Sequence, residues 1–182
     1  MSPQRIVIIG AGLAGASAAV TLREDGFDGE IHLIGAEHQL PYNRPPLSKA
    51  YLRGEVRFED QLVNPPGIYA EKGIQLRLGT RATVIDAEKK HVEVEDGERI
   101  AYDRLLVVTG GRNRPVSIPG ADLNGVLQLR TVEESDRIRA VAQRGRRAVV
   151  VGLGFIGSEV AASLRQLGVE LTALAPDQAP LA

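Results

Sequence analysis

The sequence predicts an α/β protein built on parallel strands. Two apolar, β-branched runs, RIVIIG at residues 5–10 and AVVVG at residues 148–152, each end in glycine and read as buried parallel strands. Each leads into a G-x-G-x-x-G turn, GAGLAG at residues 10–15 and GLGFIG at residues 152–157. Behind each turn lie a helical segment and a second apolar strand, which is the context that gives this short motif meaning.

The elements follow in order. LAGASAAVTLRED is an Ala-rich helix closing near Gly26, and EIHLIG at residues 30–35 is the next strand. Together with the first strand they form a β-α-β unit of roughly 30 residues with a right-handed crossover. PYNRPPLSKAYLRG, residues 41–54, carries adjacent prolines that preset the start of a short helix and forbid one upstream. Pro65 and Pro66 open another short helix that ends at Gly73. GIQLRLG, RATVIDAEKKHVEVEDGERIAY and DRLLVVTGG read as a strand, a hairpin turning at EDGE, and a last buried strand. The proline-containing RNRPVSIPG is an exit from that unit, with a boundary near residues 111–115. TVEESDRIRAVAQRG opens on a capping box, Thr131 with Glu134. SEVAASLRQLG is a helix closed by Gly168, and VELTALAP is the following strand.

Composition narrows the function. Of 182 residues, 43% are hydrophobic and 25% charged, as in an ordinary globular protein of one domain or a tight pair. A net charge of -1 and the absence of Trp argue against nucleic-acid binding. No apolar run reaches the roughly 18–20 residues of a membrane span, and MSPQRIVIIG lacks the form of a signal peptide, so a cytoplasmic location is expected. There is no cysteine. Disulfide staples, thiolate metal sites and a redox-active cysteine pair are excluded for these residues, no metal site is expected, and redox chemistry must use a bound cofactor.

The turns themselves point to dinucleotides. The first glycine of each permits a tight bend, the second lets backbone approach a pyrophosphate, and the third lets helix and strand pack closely. The helix N-terminus offers free N–H groups and roughly half a positive charge. Gly152, Gly154, Phe155, Ile156 and Gly157 form the second such cradle. An acid after the second strand of a unit would hold a ribose. Glu37 is the candidate in the first unit; in the second, the matching position is Ala175, with Asp177 two residues on, which leaves NAD against NADP open. The basic run RGRR, residues 144–147, reads as a solvated edge, with a docking face for an acidic partner as the alternative.

PYNRPPLSKAYL directly after a first dinucleotide unit, then LLVVTGGRNRP, LQLRT and VVVGLGFIGSEVAASL, together resemble the FAD-dependent ferredoxin, rubredoxin and putidaredoxin reductases. These share the fold of the pyridine nucleotide-disulfide oxidoreductases without redox cysteines. The resemblance covers essentially the whole chain. It implies a Rossmann-like FAD domain with a β-meander at residues 1–112 and the first β-α-β of an NAD(P)-binding domain at residues 113–182. It places Gly10, Gly12, Leu13, Ala14 and Gly15 on the FAD pyrophosphate, and Glu37 or the Ala36 backbone on the ribose. It turns Arg44, Lys49, Thr109, Gly110 and Arg130 toward FAD, and the Ala82 backbone toward adenine. Glu159 is placed by the flavin opposite Lys49, beside the nicotinamide, and the two are the expected catalytic pair.

The implied reaction moves hydride from NAD(P)H to FAD and then single electrons to a ferredoxin or rubredoxin. A nucleotide-binding or assembly module without turnover is the alternative, as is a flavin reductase acting on a quinone or monodehydroascorbate. Relatives of this kind are about twice as long by the same resemblance, so the chain is expected to be an N-terminal portion. Its unpartnered sheet edge and apolar faces would favour association into a homo-oligomer.

Overall fold

A computed structural model describes residues 3–114 and 116–175. The chain divides into two compact units. Residues 1–43 and 62–111 form the first, and residues 44–61 and 112–182 the second.

In the first unit, four parallel strands pair in the order β3-β2-β1-β7: β1 Arg5–Ile9, β2 Glu30–Ile34, β3 Ile74–Arg77 and β7 Arg104–Val107. Side chains alternate across a strand, so one sheet has two apolar faces to cover. Ile8, Ile31 and Leu33 lie under helix α1, Leu13–Glu24, where Ala16 and Ala19 allow close approach, and beside Tyr69 of α3, Ile68–Glu71. Val7, Ile9 and Ile34 lie under a three-stranded antiparallel meander, β4 Ala82–Asp86, β5 His91–Val94 and β6 Arg99–Ala101. Its Val92, Val94 and Ile100 complete that second core. Full burial of a side chain such as Ile8 is worth roughly 1.5–3 kcal/mol. The hairpin expected at EDGE joins β5 to β6, and a second turn between β4 and β5, where Lys90 takes a φ of 49°, completes the β-meander that the resemblance implied. The sequence reading placed DRLLVV in a buried strand. Among the described residues, β7 instead lies at the edge of the sheet, bonded to β1 alone, with Leu106 and Val107 exposed.

One buried histidine belongs to this unit. His32 pairs in register with Val7 and Gln75 and is almost fully buried. Its Nε2 lies 3.3 Å from Glu30 Oε2, which also receives Arg5 Nε at 2.6 Å. The Arg5 hydrogen bond holds the Glu30 carboxyl below its usual range, so Nε2–H donates to a carboxylate, and among the described residues the buried Nδ1 has no partner. Burial lowers the His32 pKa, assisted by Arg5 and Arg77 and opposed by Glu30. The unfolded chain therefore binds this proton more readily than the native one. Stability is complete above the ordinary histidine pKa of about 6.5 and declines as pH falls from there toward the lowered native value. Replacing His32 with Gln should flatten that decline, read as the urea midpoint between about pH 7.5 and 5.5.

In the second unit, β8 Arg147–Val151 and β9 Glu170–Leu174 pair in parallel, with α5 Phe155–Gln166 between them in sequence. Helix α4, Val132–Val141, begins at Thr131, whose hydroxyl accepts from Glu134 N while the Glu134 carboxylate accepts from Thr131 N. The sequence-predicted capping box is thus formed. Leu52 of α2, Ala50–Arg53, joins Ile138, Leu164 and Val169 in one core. On the other face of β8, Val149 and Val151 are exposed among the described residues. Among the described residues, no helix is long and apolar enough to cross a membrane.

Candidate nucleotide-binding site

The two glycine turns have the same construction. Gly10 N donates to Ile34 O at 2.8 Å, and Gly152 N donates to Leu174 O at 2.7 Å. Both glycines have positive φ, 116° and 94°. A Cβ on Gly15 would stand 1.9 Å from Gly10 O, and one on Gly157 at 1.9 Å from Gly152 O. The third glycine therefore admits the carbonyl of the first, which refines its expected role in helix–strand packing. Gly12 and Gly154 differ. Each is the N-cap of its helix with no side-chain cap, and a Cβ there would meet nothing within 4 Å. Neither glycine is required by the protein's own packing. The open space at both, beside uncapped helix N–H groups, fits a pyrophosphate.

Leu13 and Ala14, and Phe155 and Ile156, form the first exposed helical positions of the two cradles. Beyond β2, Ala36 is exposed, and Glu37 accepts a hydrogen bond from Tyr42 Oη at 2.5 Å. Thr80 N donates to Gly35 O, which sets the segment leading to Ala82 beside the end of β2. Thr109 follows Val108, whose carbonyl lies against Gly10; Thr109 and Gly110 are exposed. The sequence reading matched Glu37 with Ala175. Counted from the shared hydrogen bonds to Ile34 O and Leu174 O, Ala175 stands where Gly35 does, and the partner of Glu37 is residue 177. Asp177 lies outside the described residues.

The second unit brings Lys49 and Glu159 together. Lys49 Nζ lies 2.6 Å from Glu159 Oε2, and Ser48 Oγ donates to that same oxygen at 2.5 Å. Pro45 to Ser48 form a 3-10 turn, so the two prolines shape the perch from which Lys49 reaches α5. Lys49 Nζ also donates to Pro45 O at 3.2 Å. The Lys49 hydrogen bond, with that of Ser48, lowers the Glu159 pKa below the usual carboxylate range. With side chains 44% and 30% exposed, the pair is screened and adds little stability; its value lies in geometry. Arg44 donates to Arg130 O at 2.7 Å. Among the described residues, the buried Arg130 Nε has no partner, and such a donor suits a bound anion or carbonyl.

Sequence reasoning missed Ser48, Ser135 and Ser163. Ser48 stands beside Lys49 in the motif, and its position was the available signal. The other two lie on helices far away in sequence. Among the described residues, no cluster of three His, Asp or Glu could hold a metal.

The profile of the family described as pyridine nucleotide-disulphide oxidoreductase matches residues 4–181. The chain belongs to this family. Without cysteine, these residues carry no part of the disulfide in its name. Rhodocoxin reductase of Rhodococcus erythropolis is 43% identical over 177 residues, 97% of this chain and 42% of that protein. A probable ferredoxin reductase of Castellaniella defragrans is 44% identical over 165 residues, 91% of this chain and 40% of that protein. Putidaredoxin reductase, solved in covalent complex with putidaredoxin, superposes with a TM-score of 0.92 at 38% identity, over 100% of this chain and 44% of that one. The chain thus spans about two fifths of the length of these relatives.

Proposed function

We propose that this oxidoreductase takes electrons from NAD(P)H through FAD and delivers them to a ferredoxin or rubredoxin of an oxygenase system. The observation that carries this reading is the recurrence of one turn in both units, closed at its third glycine and open at its second, with Glu159 on the helix of the second turn and Lys49 paired to it. In this reading residues 1–112 bind FAD and residues 113–182 bind the nicotinamide cofactor. The relatives are reductases of ferredoxin-type proteins, which supports the acceptor class.

Bound FAD supplies the conversion of a two-electron donor's hydride into single electrons. The chain's residues hold and orient. Helix N–H groups of α1 and α5 take the pyrophosphates, Glu37 takes a ribose, and Arg44 and Arg130 neutralise or bond the flavin. Lys49 and Glu159 would hold the ring end of a bound cofactor, the Glu159 carboxylate serving as an acceptor for a nicotinamide amide. A cytoplasmic location accompanies this role. Purified protein given NADH and an iron–sulfur acceptor should reduce the acceptor. NADH oxidation that passes only to a quinone would sink the proposed acceptor class, and absence of any turnover would favour a binding module.

Nucleotide preference rests on the end of β9. Asp177→Ala should lower the kcat/KM ratio of NADH to NADPH by roughly tenfold, the scale of one hydrogen bond to a charged group. A ratio unmoved in this variant would place the ribose contact elsewhere.

A further inference from the structure

Two buried hydroxyls hold the carbonyls on either side of the Ser48 α-carbon. Ser135 of α4 is fully buried and donates to Leu47 O at 2.8 Å. Ser163 of α5 is 1% exposed and donates to Ser48 O at 2.7 Å. A serine inside a helix ordinarily bonds the carbonyl one turn back or faces solvent. Both hydroxyls here instead cross to the 3-10 turn, whose next residue is Lys49. Ser163 Oγ also accepts from Arg53 Nη1 at 3.1 Å, which orients its proton toward Ser48 O. Ser48 Oγ meanwhile donates to Glu159. The turn carrying Lys49 is thus fastened at three consecutive points to the helix of Glu159 and its neighbour.

We propose that Ser135 and Ser163 are positioning residues that clasp the Pro45–Ser48 turn and so fix Lys49 against Glu159. The consequence for hydride transfer rests on the proposed function; the clasp itself does not. With either hydroxyl removed, a buried carbonyl loses its donor, the turn shifts to find another, and the Lys49 ammonium separates from Glu159.

The test is competitive acetylation of native protein at neutral pH, scored by peptide mass spectrometry as the labelling rate of Lys49 relative to exposed Lys89. Glu159→Gln sets the scale and should raise that ratio roughly two- to fivefold, the factor a half-exposed ion pair is worth. Ser135→Ala and Ser163→Ala should each raise it comparably, with labelling of Lys72 unchanged. Should an alanine variant unfold, all lysines accelerate together, and Ser135→Cys and Ser163→Cys, with their weaker donor, replace it. A Lys49 ratio unmoved in variants that remain folded would overturn the clasp and leave the serines as ordinary core hydroxyls. The readout needs neither flavin nor NADH. Failure of flavin reduction in otherwise unmodified protein would count against the proposed function alone.

Discussion

Gly12→Val is expected to abolish FAD binding and leave the apo-protein as stable as the parent. A Cβ at Gly12 meets nothing within 4 Å, and its φ of -92° is open to any residue. The added side chain would occupy only the space proposed for the pyrophosphate. Gly15→Ala is expected to behave in the opposite manner. Its Cβ would stand 1.9 Å from Gly10 O, a backbone atom that cannot yield without opening the turn. That variant should lose more than about 3 kcal/mol of apo stability, beyond the usual cost of overpacking. The contrast is read from urea midpoints of both apo-proteins and from retained flavin. Stoichiometric FAD in Gly12→Val would refute the first cradle.

The second large effect concerns Lys49 and Glu159. Each alanine substitution should slow flavin reduction by NADH. The double variant should lose less than the two losses added, because the residues share one ion pair at 2.6 Å. FAD should remain bound in Glu159→Ala. The pH dependence has a definite sign. Glu159 is held below the usual carboxylate range, so the pair is complete above that range and is lost only as pH falls through the lowered native value. Reduction rates should therefore show no Glu159 titration above about pH 5. Stopped-flow traces of the four proteins decide it, and additive losses would make Glu159 an ordinary helix-start carboxylate.

The glycine turns, the flanking strands, the Thr131–Glu134 cap and the Lys49–Glu159 pair were legible in the sequence. The turns and the cap are local, written within a few residues, and the pair came through the resemblance carried by RPPLSK. What escaped depends on contacts distant in sequence. Ser135 and Ser163 stand 88 and 115 residues from the carbonyls they hold, and nothing in VEESDRI or VAASLRQ marks their hydroxyls as inward. His32 is one polar residue in the strand EIHLI, and its burial depends on what packs over that strand. Leu106 and Val107 are exposed where β7, among the described residues, pairs only with β1, a placement RLLV does not encode. The match of Glu37 with Ala175 failed because the apolar runs of β2 and β9 do not mark where each strand ends, whereas the hydrogen bonds to Ile34 O and Leu174 O fix the count.

The most direct measurement is anaerobic mixing of the purified protein with NADH, followed by identification of the released chromophore. The two-cradle account predicts a yellow protein that releases FAD in stoichiometric amount and is bleached by NADH before any acceptor is added. A colourless protein, a protein releasing FMN, or bound FAD that NADH leaves oxidised would contradict it.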